Sequence, residues 1–281
     1  IGMLTYLLGG INLAIVGAIS TLLIMLLASG YKILSLRQGG GQVARAMRGT
    51  LVDPNTQDPL RRRLYNVVEE MAIASGVPVP EVYVLEQEMA INAFAAGYTP
   101  HDAAVAVTRG LLESLDRDEL QGVVAHEFSH IVNGDMRINI RLMSFVFGIM
   151  IISLLGQQLM HSARFTKNSK DAAPLVIFSL LIVMIGWIGL FFGRVIKAAI
   201  SRQREYLADA AAVQFTRHPQ GIGNALKKIE LASGHSYLEG GAEEVAHMLF
   251  GANKQSWLLA THPPLIKRIQ AIEPNFTLDD L

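Results

Sequence analysis

Two histidines and a glutamate in the middle of the chain have the spacing of a metal site. The segment reads His126-Glu127-Phe128-Ser129-His130, and the three residues before it are apolar. On a helix, His126 and His130 share one face, so their neutral imidazoles can bind one ion. Glu127 lies beside the open metal position, where its carboxylate can take a proton from zinc-bound water. The pattern predicts a buried zinc site for hydrolysis, against the alternative of a helix with two exposed histidines.

A catalytic zinc site needs a third protein ligand. Asp135 lies five positions beyond His130, which is a poor angle on one helix, and Asp171 lies in a loop between two apolar runs. The next carboxylate is Glu205, and Asp209 follows one turn later, where it can accept the second N–H of a ligand histidine. Spacing alone leaves open whether Glu205 and Asp209 serve a metal or form a solvated helix face.

The composition narrows the class of protein. Of 281 residues, 51% are hydrophobic and only 17% are charged, which leaves room for membrane helices. Lys and Arg number 24, as do Asp and Glu, so the basic excess that nucleic-acid binding requires is absent from the sequence. The sequence has no cysteine, which excludes thiol nucleophiles, disulfides and thiolate metal ligands.

Three apolar runs predict membrane-spanning helices. The run from Leu4 to Ala28 would extend about 37 Å as a helix, enough for a bilayer core of roughly 30 Å. Its length and the lack of a basic segment before it favour a retained span over a cleaved signal peptide. Residues 142–163 and 172–193 contain no Asp, Glu, Lys or Arg and predict a transmembrane hairpin. The alternative is a pair of buried helices in a large soluble core.

The polar segments predict helices and short strands. Gly39-Gly40-Gly41 is expected to be a flexible joint, and Asp116 is expected to cap a helix that continues into the next apolar run. Hydrophobic periodicity predicts strands at 81–85, 91–97 and 103–108, and helices at 60–75, 194–216, 221–232 and 265–272.

Four motifs in one order resemble a known family. They are Asn92-Ala93-Phe94-Ala95, the segment from His126 to Asp135, the segment from Ser201 to Asp209, and Thr261-His262-Pro263-Pro264. Together they resemble the HtpX-type membrane metalloproteases, relatives of the CAAX prenyl endopeptidases, from about residue 60 to Ile272. The resemblance implies that Glu205 is the third zinc ligand.

The resemblance also implies an architecture. It is α+β and mainly helical: a gluzincin-like zinc peptidase domain with a small edge sheet, interrupted by a transmembrane hairpin and preceded by an N-terminal transmembrane helix. The expected parts are residues 1–31 (first span), 32–141 (edge strand and histidine helix), 142–193 (hairpin) and 194–281 (third ligand and His-Pro-Pro motif). Such proteases are usually drawn with two N-terminal spans, and this chain shows one.

The resemblance assigns the strand of Asn92, Ala93, Phe94 and Ala95 to substrate binding. A short edge strand can pair with an extended peptide through free backbone groups, although Phe94 in a hairpin core is an alternative. His262, held by the prolines after it, is expected to donate a hydrogen bond to the carbonyl oxygen as negative charge develops there. Arg268 is expected to orient His262 or add positive charge; the alternatives are a capping histidine and a solvated arginine.

The predicted function is a membrane-embedded zinc endopeptidase with one Zn²⁺ per chain, in which Glu127 activates a zinc-bound water. The expected partners are polypeptide substrates, particularly membrane or misfolded proteins, and the lipid bilayer; an oligomer is compatible with the sequence. Basic residues flanking the spans predict a catalytic face in the cytoplasm. The resemblance implies protein quality control in a bacterial inner membrane. A non-catalytic scaffold and a metal transporter are the competing classes.

Overall fold

The computed structural model describes residues 2–36, 39–163, 169–233 and 262–280. The chain divides into two compact units. The first comprises Ile1–Leu36 and Ile140–Lys197, and the second comprises Arg37–Asn139 and Ala198–Leu281. The apolar runs belong to the first unit, and the motifs that could carry chemistry belong to the second.

The described helices and strands follow one another in the order α1 (Gly2–Leu36), α2 (Gly40–Ala46), β1 (Thr50–Leu51), α3 (Pro59–Ser75), β2 (Glu81–Leu85), β3 (Ala93–Ala96), β4 (Ala104–Thr108), α4 (Arg109–Ser114), α5 (Arg117–Val132), α6 (Asp135–Ala163), α7 (Ser169–Thr216), α8 (Pro219–Ser233) and α9 (Leu265–Ile272). Short 3₁₀ turns occupy Pro100–Asp102 and Leu278–Asp280. The mainly helical α+β class is therefore confirmed.

Three helices in the described ranges have the length and apolar composition needed to cross a membrane. Their candidate spans are Ile15–Ser35, Asp135–Ser162 and Val176–Thr216. Helix α7 is continuous over 48 residues, whereas the sequence predicted a boundary at Gly193. A helix of that length extends about 72 Å, more than twice the thickness of a bilayer core. The apolar first half is sufficient for the span, and the polar half from Arg194 onward extends beyond it.

Small residues allow the helices of the first unit to approach closely. A Cβ atom at Gly148 of α6 would lie 2.7 Å from the Met25 carbonyl oxygen of α1. A Cβ atom at Gly186 of α7 would lie 2.8 Å from the Ser153 nitrogen of α6. Such contacts are typical of membrane helices, which associate through close packing because lipid supplies no hydrophobic driving force between them.

The second unit contains a four-stranded sheet in the order β1-β2-β4-β3. Strand β1 is antiparallel to β2, β2 is parallel to β4, and β4 is antiparallel to β3. The predicted strands at 81–85 and 103–108 agree with β2 and β4 to within one residue. Strand β3 lies at one edge of the sheet, so the small edge sheet is also confirmed.

The predicted flexible joint at Gly39-Gly40-Gly41 is wrong. Gly40 and Gly41 begin helix α2 and are buried against the sheet. A Cβ atom would lie 2.2 Å from the Ala96 carbonyl oxygen at Gly40, and 2.0 Å from Glu81 Oε2 at Gly41. These glycines therefore permit close packing, because any side chain would push α2 away from the strands.

Helix α5 lies at the centre of the second unit and packs against α3, α8 and β3. A Cβ atom at Gly122 would lie 2.5 Å from the Ile222 nitrogen, which brings α5 and α8 close together. The surrounding core is large and apolar; it includes Leu64, Val67, Val68, Leu120, Val124, Phe128, Leu226 and Ile269. Side chains on α5 are consequently held in a rigid setting.

The boundaries of α5 are set by local signals. Asp116 caps its first turn, as the sequence predicted, and also forms a reciprocal capping box with Glu119. The predicted continuation into the next apolar run is wrong, because α5 ends at Val132 and Gly134 adopts a left-handed conformation with φ 68°. Helix α6 begins directly afterwards at Asp135.

Candidate metal centre

Helix α5 presents His126, Glu127 and His130 from the middle of the core. His126 is 1% exposed and Glu127 is 3% exposed. One turn separates the two histidines, and their Nε2 atoms lie 3.2 Å apart. The two imidazole rings are nearly perpendicular.

Glu205 of α7 completes a group that could hold a metal ion. Its Oε2 lies 3.6 Å from His126 Nε2, and its Oε1 lies 3.6 Å from His130 Nε2. Ligand atoms bonded at about 2.0–2.1 Å to a tetrahedral ion lie about 3.4 Å from one another. The observed separations and the two-nitrogen, one-carboxylate donor set therefore fit zinc.

The other ring nitrogens explain why the Nε2 atoms face inward. His126 Nδ1 lies 2.9 Å from Asp209 Oδ1, and His130 Nδ1 lies 2.8 Å from Asp135 Oδ2. Each Nδ1 donates its proton to a carboxylate, so in the neutral form of each imidazole Nε2 carries the lone pair. Two lone pairs facing each other across 3.2 Å repel unless a proton or a metal ion lies between them.

Each of these two aspartates also forms an ion pair with an arginine. Arg268 of α9 donates to both oxygens of Asp209, from Nε at 2.8 Å and Nη2 at 2.6 Å. Arg204 of α7 pairs with Asp135. Two parallel chains result, His126–Asp209–Arg268 and His130–Asp135–Arg204.

Arg268 is fully buried, so the alternative of a solvated arginine is wrong. Its Nη1 lies 3.2 Å from Glu205 Oε2, so its charge faces both Asp209 and Glu205. Burial acts to lower the pKa of Arg268, but these carboxylates raise it well above the usual range. The contacts favour a role in holding the two carboxylates, and the predicted role in orienting His262 stays a prediction.

His262 lies beside the candidate ligands. Its Nδ1 is 2.9 Å from Glu205 Oε2, and its side chain is mostly buried. The structure thus brings His262 to the site, directly before the first turn of α9. Its role toward a carbonyl oxygen stays a prediction.

Glu127 is placed to act as a base. Burial raises the pKa of its carboxyl, while the charges of His130 and His126 and a hydrogen bond from the Ala95 backbone lower it; the net direction is upward. The Ala95 contact fixes the carboxylate at the mouth of the site. A buried base with a raised pKa is a stronger proton acceptor near neutral pH.

The two histidines differ in basicity. Burial lowers the pKa of His126, but hydrogen bonds that the ring donates to the Asp209 and Glu205 carboxylates outweigh it and raise the pKa to about 9. Burial and the neighbouring His126 lower the pKa of His130. In the metal-free protein at neutral pH, His126 therefore carries a second proton, which faces His130 Nε2.

A cavity of about 40 Å³ opens onto these groups. Besides the candidate ligands, Glu127 and His262, its wall includes Ala95, Met136, Asn139 and Ser201. Glu127 therefore faces the same small cavity as the candidate ligands.

The predicted substrate strand is only partly available. Asn92 and all four residues of β3 are buried, and Phe94 packs in a small core with Tyr83 and Leu85, as the alternative proposed. The Ala93 N–H is bonded to the Asn92 side chain, and the Ala95 N–H to Glu127. Within the described part of this strand, Ala95 is the residue that borders the cavity.

Sequence reasoning missed the roles of Asp135 and Arg204. A straight helix would carry Asp135 away from the site, but the left-handed Gly134 turns it back toward His130. The Asn133-Gly134 pair is a helix-stop signal and could have indicated this turn.

The fold and the site together define a membrane metallopeptidase: a helix with the His-Glu-x-x-His pattern, a glutamate from a second helix, and three helices able to cross a bilayer. The model of Peptidase family M48 matches residues 59–275. The chain belongs to this family.

Two similar proteins are each named "Protease HtpX homolog". The one from Streptococcus uberis is 37% identical over 216 residues, covering 74% of this chain and 71% of that protein. The one from Streptococcus pyogenes serotype M28 is 35% identical over 215 residues, covering 74% of this chain and 72% of that protein. The resemblance to HtpX-type proteases is confirmed.

A crystal structure of S. mikatae Ste24p has a similar fold. It matches with a TM-score of 0.57 and 19% identity over 90% of this chain, which spans 58% of the length of that chain. Together with the three apolar helices, these similarities indicate an integral membrane protein.

Proposed function

We propose that this protein is a zinc-dependent endopeptidase that hydrolyses peptide bonds of membrane or misfolded proteins. The convergence of two histidine Nε2 atoms and the Glu205 carboxylate is the observation that carries the proposal. Two imidazoles and one glutamate form a donor set that zinc uses in peptidases, with one coordination position left for water or substrate. The names of the relatives support the same reaction class.

In this proposal His126, His130 and Glu205 hold one zinc ion per chain. The ion, when bound, would polarise the peptide carbonyl and lower the pKa of a bound water to about 7. Asp209 and Asp135 keep each imidazole in the tautomer that presents the Nε2 lone pair. The two histidines are thereby oriented to bind the ion before it enters the site.

Glu127 acts on the proton of the attacking water. Its carboxylate is buried next to the candidate ligands, and the Ala95 N–H holds it in position. Having accepted the proton, the same carboxyl can donate it to the departing amine, because burial raises its pKa and so makes the protonated form easier to reach.

His262 would stabilise the charge that develops on the former carbonyl oxygen. It lines the cavity beside Glu205 and is attached to the rigid Pro263-Pro264 segment. A donor at that place stabilises the transition state more than the substrate. Arg268 would contribute by positioning Asp209 and Glu205.

The substrate class and location follow from the membrane helices and the relatives. In the sequence, the active-site segments directly adjoin the candidate spans, and the residues that flank these spans are basic. This pattern favours a cytoplasmic catalytic face in a bacterial inner (plasma) membrane. Quality control of membrane proteins is the role proposed there. A cysteine introduced at Ser169 should be labelled only from outside the cell; labelling only from the cytoplasm would overturn the orientation.

The proposal is tested by comparing Glu127→Gln with wild type and with Asp118→Asn, a control on the exposed start of α5. Both variants should keep about one zinc per chain, and Glu127→Gln should lose about 10²–10⁴-fold in peptidase turnover. Undiminished turnover in Glu127→Gln would remove Glu127 from the chemistry. A wild-type protein that binds zinc but cleaves no peptide would instead favour the non-catalytic scaffold.

A second experiment tests the ligands. Glu205→Ala should lose most of the zinc, since two histidines bind the ion weakly, whereas Asp209→Asn should weaken binding by about 10–100-fold. Full zinc occupancy in Glu205→Ala would exclude Glu205 as a ligand.

A further inference from the structure

A second cavity, of about 290 Å³, lies at the first turns of helices α3 and α5. Its wall shares no residue with the described wall of the metal-site cavity. The volume equals that of about ten water molecules in the liquid. It is lined by Gln57, Pro59, Arg62, Arg63, Asn66 and Arg117.

Four residues of the cavity wall, two of them arginines, form one stripe on α3. Pro59, Arg62, Arg63 and Asn66 are spaced at i, i+3, i+4 and i+7, which places them on one helix face. Arg117, the first residue of α5, faces the same space. None of the described residues in this wall is acidic.

Two of the arginines are anchored by neutral acceptors. Arg62 donates from Nε to the Thr56 carbonyl at 3.2 Å and from Nη2 to Gln57 Oε1 at 2.6 Å. Arg63 donates from Nη2 to the Leu112 carbonyl, and its Nε is buried without a hydrogen bond to any described residue. The guanidinium groups are therefore fixed in place while their charge is not cancelled.

Two carboxylates beside this cavity, Glu70 and Asp58, have identified partners. Glu70 pairs with Arg117, and so offsets one of the three charges. Asp58 accepts the N–H groups of Leu60 and Arg61 as the cap of α3. Among the described residues of this wall, Arg62 and Arg63 therefore keep two positive charges that no carboxylate contact offsets.

We propose that this cavity binds a phosphate group, most simply that of a phosphate monoester or an anionic lipid headgroup. A doubly charged phosphate matches the surplus charge, and its oxygens fit the planar forks of arginine. Because the arginines are already anchored, little side-chain entropy is lost on binding. The space beyond one phosphate leaves room for the group esterified to it.

The site is tested by calorimetric titration. Inorganic phosphate is titrated into the detergent-solubilised full chain, and chloride keeps the ionic strength constant. Saturable binding with a Kd at or below about 1 mM is expected. Arg62→Gln and Arg63→Gln should each raise the Kd at least about tenfold. Arg61→Gln is the matched control, since Arg61 lies on the same turn but pairs with Glu86 at 2.7 Å; its Kd should change less than about twofold.

Two results would overturn the proposal: no saturable binding up to about 10 mM phosphate, or an equal loss of affinity in Arg61→Gln, which would indicate a general charge effect. If Arg63→Gln fails to fold, Arg62→Gln, whose side chain is exposed, decides the matter. Short-chain phosphatidic acid and glycerol phosphate distinguish the sources of the group. Tighter binding of the lipid, with phosphatidylcholine inert, assigns a headgroup, and equal binding assigns a soluble phosphate ester.

Discussion

Replacing Arg268 by methionine should destabilise the second unit more than any surface change on α9. Arg268 is fully buried and contacts Asp209 and Glu205, which are themselves almost completely buried. Methionine keeps most of the side-chain volume and is compatible with a helix, so the loss is mainly one of charge. Two carboxylates are then left in the protein interior without their main cationic partner.

The expected size follows from that burial. Removing one partner of a buried ion pair costs about 3–5 kcal/mol, because the charge that remains is uncompensated. For a chain of this size about 1 kcal/mol corresponds to roughly 2–4 °C in Tm, so Arg268→Met should lower Tm by about 6–20 °C. The effect should be largest in metal-free protein, since a bound cation would partly replace the lost charge beside Glu205.

The assay is thermal unfolding of metal-free protein in detergent, with Lys267→Met as the control. Lys267 is the exposed neighbour of Arg268 on α9, so its replacement should shift Tm by no more than about 2 °C. A double-mutant cycle adds Asp209→Asn: in the Arg268→Met background it should cost less than it does alone, because it removes the uncompensated carboxylate.

The reasoning is refuted if Arg268→Met unfolds within about 2 °C of wild type. It is also refuted if the effects of Arg268→Met and Asp209→Asn simply add, since the two side chains would then be independent despite contacts at 2.6 and 2.8 Å.

Three further predictions concern the candidate metal centre. Asp135→Asn should weaken zinc affinity by about 10–100-fold, measured by competition with a chelator, because His130 loses the carboxylate that fixes its ring; unchanged affinity would remove Asp135 from the site. His262→Ala should lower kcat by about 10²–10³-fold with zinc content and KM near normal; normal turnover, or zinc loss together with activity, would exclude the role toward the carbonyl oxygen. Since the pKa of His126 in the metal-free protein is raised to about 9 and that of His130 is lowered, zinc must displace one proton. Affinity should therefore rise about tenfold per pH unit between about pH 6.5 and 8.5, and a slope of two would mean that both histidines begin protonated.

Local patterns in the sequence were sufficient for much of the fold. Helix α9 has the predicted bounds, Leu265–Ile272, and β2 has the predicted bounds, Glu81–Leu85. Both depend on side-chain periodicity and nearby prolines, which are properties of adjacent residues. The grouping of His126, Glu127 and His130 was predictable for the same reason, because one helical turn brings them together.

Features that depend on distant contacts were not predictable. Gly40 and Gly41 suggest flexibility until the sheet is seen to lie within contact distance of their Cα atoms. Arg268 has no helical relation to Asp209, since 58 residues of sequence separate them. Its pairing and its burial follow from the packing of α9 onto the core, which no local pattern encodes.

The candidate metal centre owes its geometry to two chains of alternating charge. His126–Asp209–Arg268 connects α5, α7 and α9, and His130–Asp135–Arg204 connects α5, α6 and α7. In the first chain, against the effect of burial, the Arg268 charge lowers the pKa of Asp209. In both chains the aspartate accepts the histidine Nδ1 proton, so Nε2 is left to face the site. Replacing any residue of either chain should therefore disturb the orientation of one ligand imidazole and so weaken metal binding. Because the chains draw on four helices, the site can form only when the second unit has folded, and bound zinc should in turn stabilise that fold.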